Sequence, residues 1–202
     1  MPGKRSKPDH YTNRAKREGY QARSVYKLQE LQQKFRLVDP TSRVLDLGAA
    51  PGSWSRYILK LLDSQGRLVA GDLCPLEISD DPRLEVLKLD ILGQEFPQLV
   101  AAHGPFDAVL SDAAPSTTGD RTVDTARSAA IVEAIIHWLP RYLCQGGNLA
   151  VKIFQGGEEQ LLLRGLRGAF RSARAFKPRA CRSQSFETYL VGIGYTHQNA
   201  VR

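Results

Sequence analysis

Apolar and polar positions alternate in blocks along most of the chain. RVLDLGA (43–49) is a short apolar run closed by a Pro-Gly turn, and it reads as a strand. SWSRYILKLL (53–62) places Trp54, Ile58 and Leu61 or Leu62 on one helical face. RLVAGDL (67–73), LEVLKLD (84–90) and FDAVLSDAAP (106–115) read as three further strands, each running into an acid. Residues 122–143 carry Ala130, Ile131, Ala134, Ile135, Trp138 and Leu139 at helical spacing, with Pro140 expected to kink or end the helix. Gly146-Gly147 mark a break before the strand NLAVKIF (148–154). A helix over 157–171 and strands at ARAFKP (173–178) and ETYLVGIGY (187–195) follow. Upstream, ARSVYKLQELQQKF (22–35) is an amphipathic helix turning Val25, Leu28 and Leu31 inward. Strands alternating with helices predict an α/β fold, a mostly parallel sheet covered on both faces. The last two strands are too close in sequence for a crossover helix, so they are expected to pair antiparallel at one edge. No linker divides the chain. The expectation is one domain over 1–202: a flexible basic arm (1–20), a helix (21–38) and a core (39–195).

The composition narrows the class. With 202 residues, 42% hydrophobic and 24% charged, the chain has enough apolar material for a core and is an ordinary soluble composition. No run approaches the ~18 apolar residues of a membrane span, and the N-terminus lacks a secretory signal pattern. Cys74, Cys144 and Cys181 are far apart and form no CxxC pair, which fits a reducing, cytoplasmic setting and no zinc site. A monomer is the default expectation. The net charge of +7 is uneven. Residues 1–36 hold 10 Lys/Arg against 3 Asp/Glu, residues 160–186 hold 7 against none, and residues 37–159 hold 10 against 17. Two basic ends that fold together make a surface for a polyanion. Arg164, Arg167, Arg171 and Arg174 recur at helical spacing and are expected to form one stripe on it.

In an open parallel sheet, ligands sit at the carboxyl ends of strands. There this sequence places Asp46-Leu47-Gly48-Ala49-Ala50-Pro51-Gly52, whose small residues allow close backbone approach to a ligand. The segment is neither GxGxxG nor GxxxxGK[ST], so a dinucleotide fingerprint and a P-loop are both absent. Asp72, 20 residues past Gly52, suits an acid gripping ribose hydroxyls, and Asp90 ends the next strand. A ligand read by carboxylates favours a cationic nucleoside such as S-adenosylmethionine over NAD or ATP. His10, His103, His137 and His197 form no cluster, against a metal hydrolase. Trp54 suits either the core or the flank of an adenosine. Lys152 lies within the apolar run Ala150–Phe154, and a buried lysine needs partners. Asp112 and Glu187, at other strand ends, are the candidates, with Lys27 on the upstream helix.

GYQARSVYKLQEL, DLGAAPGSWS, SDAAPSTTG, VKIFQG and SFETYLVG, in this order, resemble the FtsJ/RrmJ family of ribosomal RNA ribose 2′-O-methyltransferases. The resemblance runs from about Tyr11 to Gly194. It implies a Rossmann-like sheet of seven strands with one late antiparallel strand. It implies a catalytic tetrad of Lys27, Asp112, Lys152 and Glu187, with Lys152 as proton acceptor, and S-adenosyl-L-methionine held by Gly52, Trp54, Asp72, Asp90 and Asp112. No metal and no membrane are implied. Ser53 departs from the second glycine of many relatives. The implied partner is 23S rRNA within the large ribosomal subunit, methylated on a uridine. Related enzymes modify the tRNA anticodon loop, and NRAKREGYQARSVYKL is also similar to theirs. A non-catalytic RNA-binding protein on the same fold is the rival outside enzymes. A lysine base must be neutral: a free lysine ionises near 10.4 and a useful base near 7–8, a gap of about 4 kcal/mol at about 1.36 per unit.

Overall fold

A computed structural model describes residues 10–182 and 185–196. The strands are β1 Arg43–Leu47, β2 Arg67–Asp72, β3 Leu84–Lys88, β4 Phe106–Ser111, β5 Leu143–Phe154, β6 Phe170–Phe176 and β7 Glu187–Tyr195. They form one sheet in the order β3-β2-β1-β4-β5-β7-β6. β1 to β5 pair in parallel. β7 enters between β5 and β6 and runs antiparallel to both, so the last strand in sequence is internal and β6 is the edge.

The helices are α1 His10–Arg17, α2 Val25–Phe35, α3 Ser53–Leu61, α4 Phe96–His103, α5 Arg121–Tyr142 and α6 Glu158–Ala169. Strand parity divides the core. Leu45, Val109, Leu149, Val151 and Leu190 pack with Phe96 of α4, Ile135 of α5 and Leu166 of α6. Val44, Leu68, Ala108, Leu110, Ala150, Tyr189 and Val191 face the other way, onto Leu28 and Leu31 of α2 and Ile58 of α3. The N-terminal α2 therefore covers the sheet beside α3, with Val25, Leu28 and Leu31 fully buried as their spacing requires.

Several local expectations change. The second half of the stretch read as a flexible arm is helix α1, tied down by buried Ala15 and Tyr20. Residues 1–9 of that arm lie outside the described residues. Gly146-Gly147 do not end a segment. β5 starts at Leu143 and passes through them with an irregular register against β4, between Phe106 and Ala108. Pro140 lies inside α5, close enough to its end that the chain leaves the helix two residues later. The four arginines read as one helical stripe divide at Ala169: Arg164 and Arg167 lie on α6, Arg171 and Arg174 on β6. A change of period from helix to strand at that point removes the single stripe.

Candidate active site

Parallel strands end at one edge of the sheet, and an antiparallel strand begins there. Asp72 closes β2, Asp90 and Asp112 follow β3 and β4, and Glu187 opens β7. Lys152 lies near the end of β5, paired in register with Tyr189. Parity then selects the face. Lys152 shares it with Ala150, and Glu187 and Tyr189 share it with Val191; α2 covers that face. Lys27, in the first turn of α2, reaches Glu187 and Asp112.

The result is a compact cluster. Lys152 Nζ lies 3.1 Å from Asp112 Oδ1 and donates to the Asp112 main-chain carbonyl at 2.5 Å. Lys27 Nζ pairs with Glu187 Oε1 at 2.8 Å and lies 3.9 Å from Asp112 Oδ1. Tyr189 Oη donates to that same Asp112 oxygen at 2.5 Å. Both lysine side chains are 9% exposed, low enough that their charges depend on these partners rather than on water. Burial works against the Asp112 carboxylate, but Lys152, then Lys27 and the Tyr189 hydroxyl, outweigh it and hold the carboxyl below its ordinary value. Burial likewise works against the Lys27 ammonium, and Asp112 and Glu187 overcome it, raising the amine above its ordinary value. Cys181, beside Glu187, is pushed up to about 12 by burial and by that carboxylate, so it remains a thiol. All four residues of the expected tetrad thus meet. Tyr189, which periodicity alone assigns to the core, is a fifth member; a hydroxyl in an apolar strand two residues from Glu187 is the signal that marks it.

Asp112 also lines a crevice of about 610 Å³ at the strand ends, with Gly48, Ala50, Asp72, Asp90 and Ala113. That size suits a nucleoside-type ligand. Three carboxylates face it against one guanidinium, Arg127, so it suits hydroxyl donors and a cation better than phosphates. Asp72 orders its own wall: Oδ2 accepts from Ala50 N at 2.9 Å and Oδ1 from Cys74 N at 2.8 Å. Asp90 Oδ1 accepts from Leu92 N at 3.0 Å. Gly48 has φ +70°, and a Cβ there would lie 2.5 Å from Ala113 Cα, so two loops of the crevice touch only because this residue is glycine. The residues present fit S-adenosylmethionine on these grounds. Among the described residues, no group of three or more His, Cys, Asp or Glu is placed to hold a metal ion, and no helix is long and apolar enough to cross a membrane.

Two expected cofactor residues are not among those lining the crevice. Trp54 is 2% exposed; its indole N–H donates to Ser24 O at 2.9 Å, and its ring stacks on Tyr189 at 5.9 Å between centroids. Its large apolar area is used between α2, α3 and β7, where it backs the tyrosine that holds Asp112. Gly52 caps α3 at φ +114°, and the nearest atoms to an added Cβ there belong to Ile78 and Glu77, away from the lining. Ser53, in place of a second glycine, accepts from Ala22 N at 2.7 Å and ties the segment before α2 to the start of α3.

Sequence reading also left Asp46 without a role. It is fully buried. Ser55 Oγ donates to its Oδ2 at 2.6 Å, and its Oδ1 has no partner. Burial pushes this carboxyl up to about 7, the Ser55 hydroxyl opposing and Asp112 and Asp72 adding to the rise. An unfolded aspartate ionises near 3.9, so the folded protein binds the extra proton between these values. Stability is therefore expected to fall as pH rises from about 4 to about 7, by about 4 kcal/mol from this group. Asp46→Asn should lack that slope, read as the difference in melting temperature between about pH 5 and about pH 8 in each protein. Parallel profiles for the two proteins would refute it.

Residues 20–195 match the FtsJ-like methyltransferase description. A ribosomal RNA large subunit methyltransferase E from Treponema denticola is 52% identical over 95% of this chain and 97% of its own length. One of the same name from Syntrophobacter fumaroxidans is 43% identical over 92% and 94%. The crystal structure of a Plasmodium falciparum protein described as a ribosomal RNA methyltransferase superposes with a TM-score of 0.76 at 25% identity, covering 89% of this chain and 100% of that one. The match spans every element from the segment before α2 to the end of β7 and takes in all five members of the buried cluster: this chain belongs to the FtsJ-like methyltransferase family.

Proposed function

We propose that the protein transfers a methyl group from S-adenosylmethionine to the ribose 2′-oxygen of a uridine in 23S rRNA of the large ribosomal subunit, with Lys152 as general base. The observation that carries this reading is Asp112, which lines the crevice on one side and holds Lys152 at 3.1 Å on the other. A donor in the crevice and an acceptor at the amine would share that one carboxylate. Large-subunit rRNA is the substrate named for the relatives from Treponema denticola and Syntrophobacter fumaroxidans, which supports that part of the reading. The uridine and the 2′-oxygen rest on the sequence resemblance.

When bound, the donor supplies a methyl group on a positively charged sulfur. Asp72 and Asp90 would hold its ribose hydroxyls, with Asp112 near the sulfonium end. Lys152 Nζ, in its neutral form, would accept the proton of the ribose hydroxyl as that oxygen bonds to the methyl carbon and the carbon–sulfur bond breaks, the electron pair leaving with sulfur as a neutral thioether. Lys27 holds the negative charge that develops on that oxygen, and Glu187 fixes Lys27. Asp112 orients Lys152 through its carboxylate and its carbonyl. Alignment of the two reactants is worth about 7–11 kcal/mol in good geometry, and the base about 10²–10⁴-fold.

The test is transfer of tritiated methyl to undermethylated large subunits and, separately, to unmodified tRNA. Label on a 2′-oxygen of 23S rRNA is expected. Label on tRNA alone would replace the substrate, and no label on any RNA would refute the enzyme.

A further inference from the structure

A second groove, of about 660 Å³, opens between α1, α2 and the end of β6, separate from the crevice. Its walls mix rings and cations. Lys34 Nζ lies 4.3 Å from the centre of the Phe176 ring, and Arg14 Cζ lies 4.7 Å from that of Tyr26. Lys177 and Arg179 extend from the segment after β6, and these two and Lys34 are exposed. The carboxylate in the lining, Glu30, is occupied: it accepts from the main-chain N–H groups of Arg179 and Ala180, each at 2.8 Å. Lys34, Lys177 and Arg179 outnumber this one carboxylate, so the groove is net positive, and Glu30 fastens the 176–182 segment to α2.

Two paths join this groove to the buried cluster. Lys27, Glu30 and Lys34 occur at i, i+3 and i+7 on one face of α2. Lys34 is seven residues from Lys27, about 10 Å along the axis at 1.5 Å per residue. That is about three nucleotides at the ~3.4 Å spacing of a stacked strand. The 176–182 segment leads to buried Cys181, whose thiol is raised by burial and in part by Glu187 of the cluster.

We propose that this groove seats the single-stranded RNA flanking the methylated nucleotide, with phosphates on Lys34, Lys177 and Arg179 and a base on the Phe176 ring. The proposal rests on the reading of the protein as an RNA ribose methyltransferase. Cations alternating with rings fit a strand that offers phosphate and base in turn, the lysine leaving the ring for a phosphate as the base arrives. An acidic peptide would engage the cations alone.

The experiment measures binding of a fluorescent single-stranded RNA of about 12 nucleotides by anisotropy across a salt series, for the full-length protein, Lys34→Glu/Arg179→Glu and Phe176→Leu. The charge-reversed protein is expected to lose at least ~10-fold in affinity and to flatten the slope of log K against log salt by about 1.4, for two lost contacts on a single strand. Phe176→Leu should weaken binding several-fold with the slope unchanged. Affinity for S-adenosylmethionine by calorimetry should match wild type in both, showing that each is folded. Wild-type RNA affinity and slope in the double variant overturn the proposal, as does a polyglutamate peptide that binds wild type more tightly than RNA does. Methyl transfer separates the two readings. A wild-type protein that binds RNA through these residues but methylates none refutes the enzyme and keeps the groove. A double variant with wild-type kcat/KM on subunits refutes the groove and keeps the enzyme.

Discussion

Lys152→Ala is expected to lower methyl transfer to RNA by about 10²–10⁴-fold, the range of a lost general base. Its affinity for S-adenosylmethionine should stay near wild type, because Lys152 is not among the residues lining the crevice. Alanine also removes a cation from Asp112, so loss of activity alone does not separate a base from a scaffold. Lys152→Arg makes that separation. It restores a positive charge beside Asp112, but a guanidinium does not become neutral at working pH. A scaffold role predicts substantial rescue by arginine, and a base predicts none. Single-turnover methyl transfer on undermethylated large subunits, with donor affinity by calorimetry on the same preparations, reads both. Retention of most activity in the alanine variant, or its recovery in the arginine variant, would remove Lys152 from the role assigned to it.

The parts of this molecule that were legible in its sequence are those where one local signal decides. β1, β2 and β3 are short apolar runs stopped by acids or small residues, and each is found within two residues of its expected end, whereas β4 stops at Ser111, four residues before Pro115. α2 and α5 have long helical spacing. α4 was missed because FPQLVAAH is only eight residues long, begins with Pro97 near its first turn and has no side-chain cap. Its packing of Phe96 and Val100 on the sheet, rather than propensity, makes it a helix. The Gly146-Gly147 pair misled for the opposite reason: it looks like a stop, yet pairing with β4 resumes at Asn148 without the chain leaving the strand. Lys152 was legible because a lysine in an apolar strand is conspicuous, and Asp112 and Glu187 because they lie at strand ends; Lys27, on α2, was marked by the family resemblance. Tyr189 was hidden because it satisfies two demands, with its ring in the core and its hydroxyl on Asp112. Trp54, left open between core and adenosine flank by its position and given a cofactor role by the resemblance, is buried in the core.

Asp112 is where the protein is most sensitive, because one carboxylate stands between two buried lysine side chains. Removing one partner of a buried charge cluster costs about 3–5 kcal/mol, since the charges left behind lose their compensation without regaining water. Here Asp112→Ala would leave Lys152 without its carboxylate and Lys27 with Glu187 alone. At about 2–4 °C per kcal/mol for a chain of this size, the melting temperature is expected to fall by about 10 °C. Asp112→Asn tests whether charge or shape is responsible. The amide keeps an acceptor for Tyr189 but not the charge, so most of the loss should persist. The pH dependence supplies the sign. A carboxyl held below its unfolded value of about 3.9 contributes fully above that value and loses its contribution as pH falls through the folded value. Lys27 is the mirror case: it contributes fully below about 10.4 and fades as pH rises through its raised folded value. Wild type should therefore lose stability more steeply than Asp112→Asn on the acid side, below about pH 4, and the two curves should converge there. Denaturant unfolding of both proteins across that range measures it. A variant as stable as wild type at neutral pH, or one whose deficit stays constant into acid, would mean that Asp112 is not the charge holding the two lysines together.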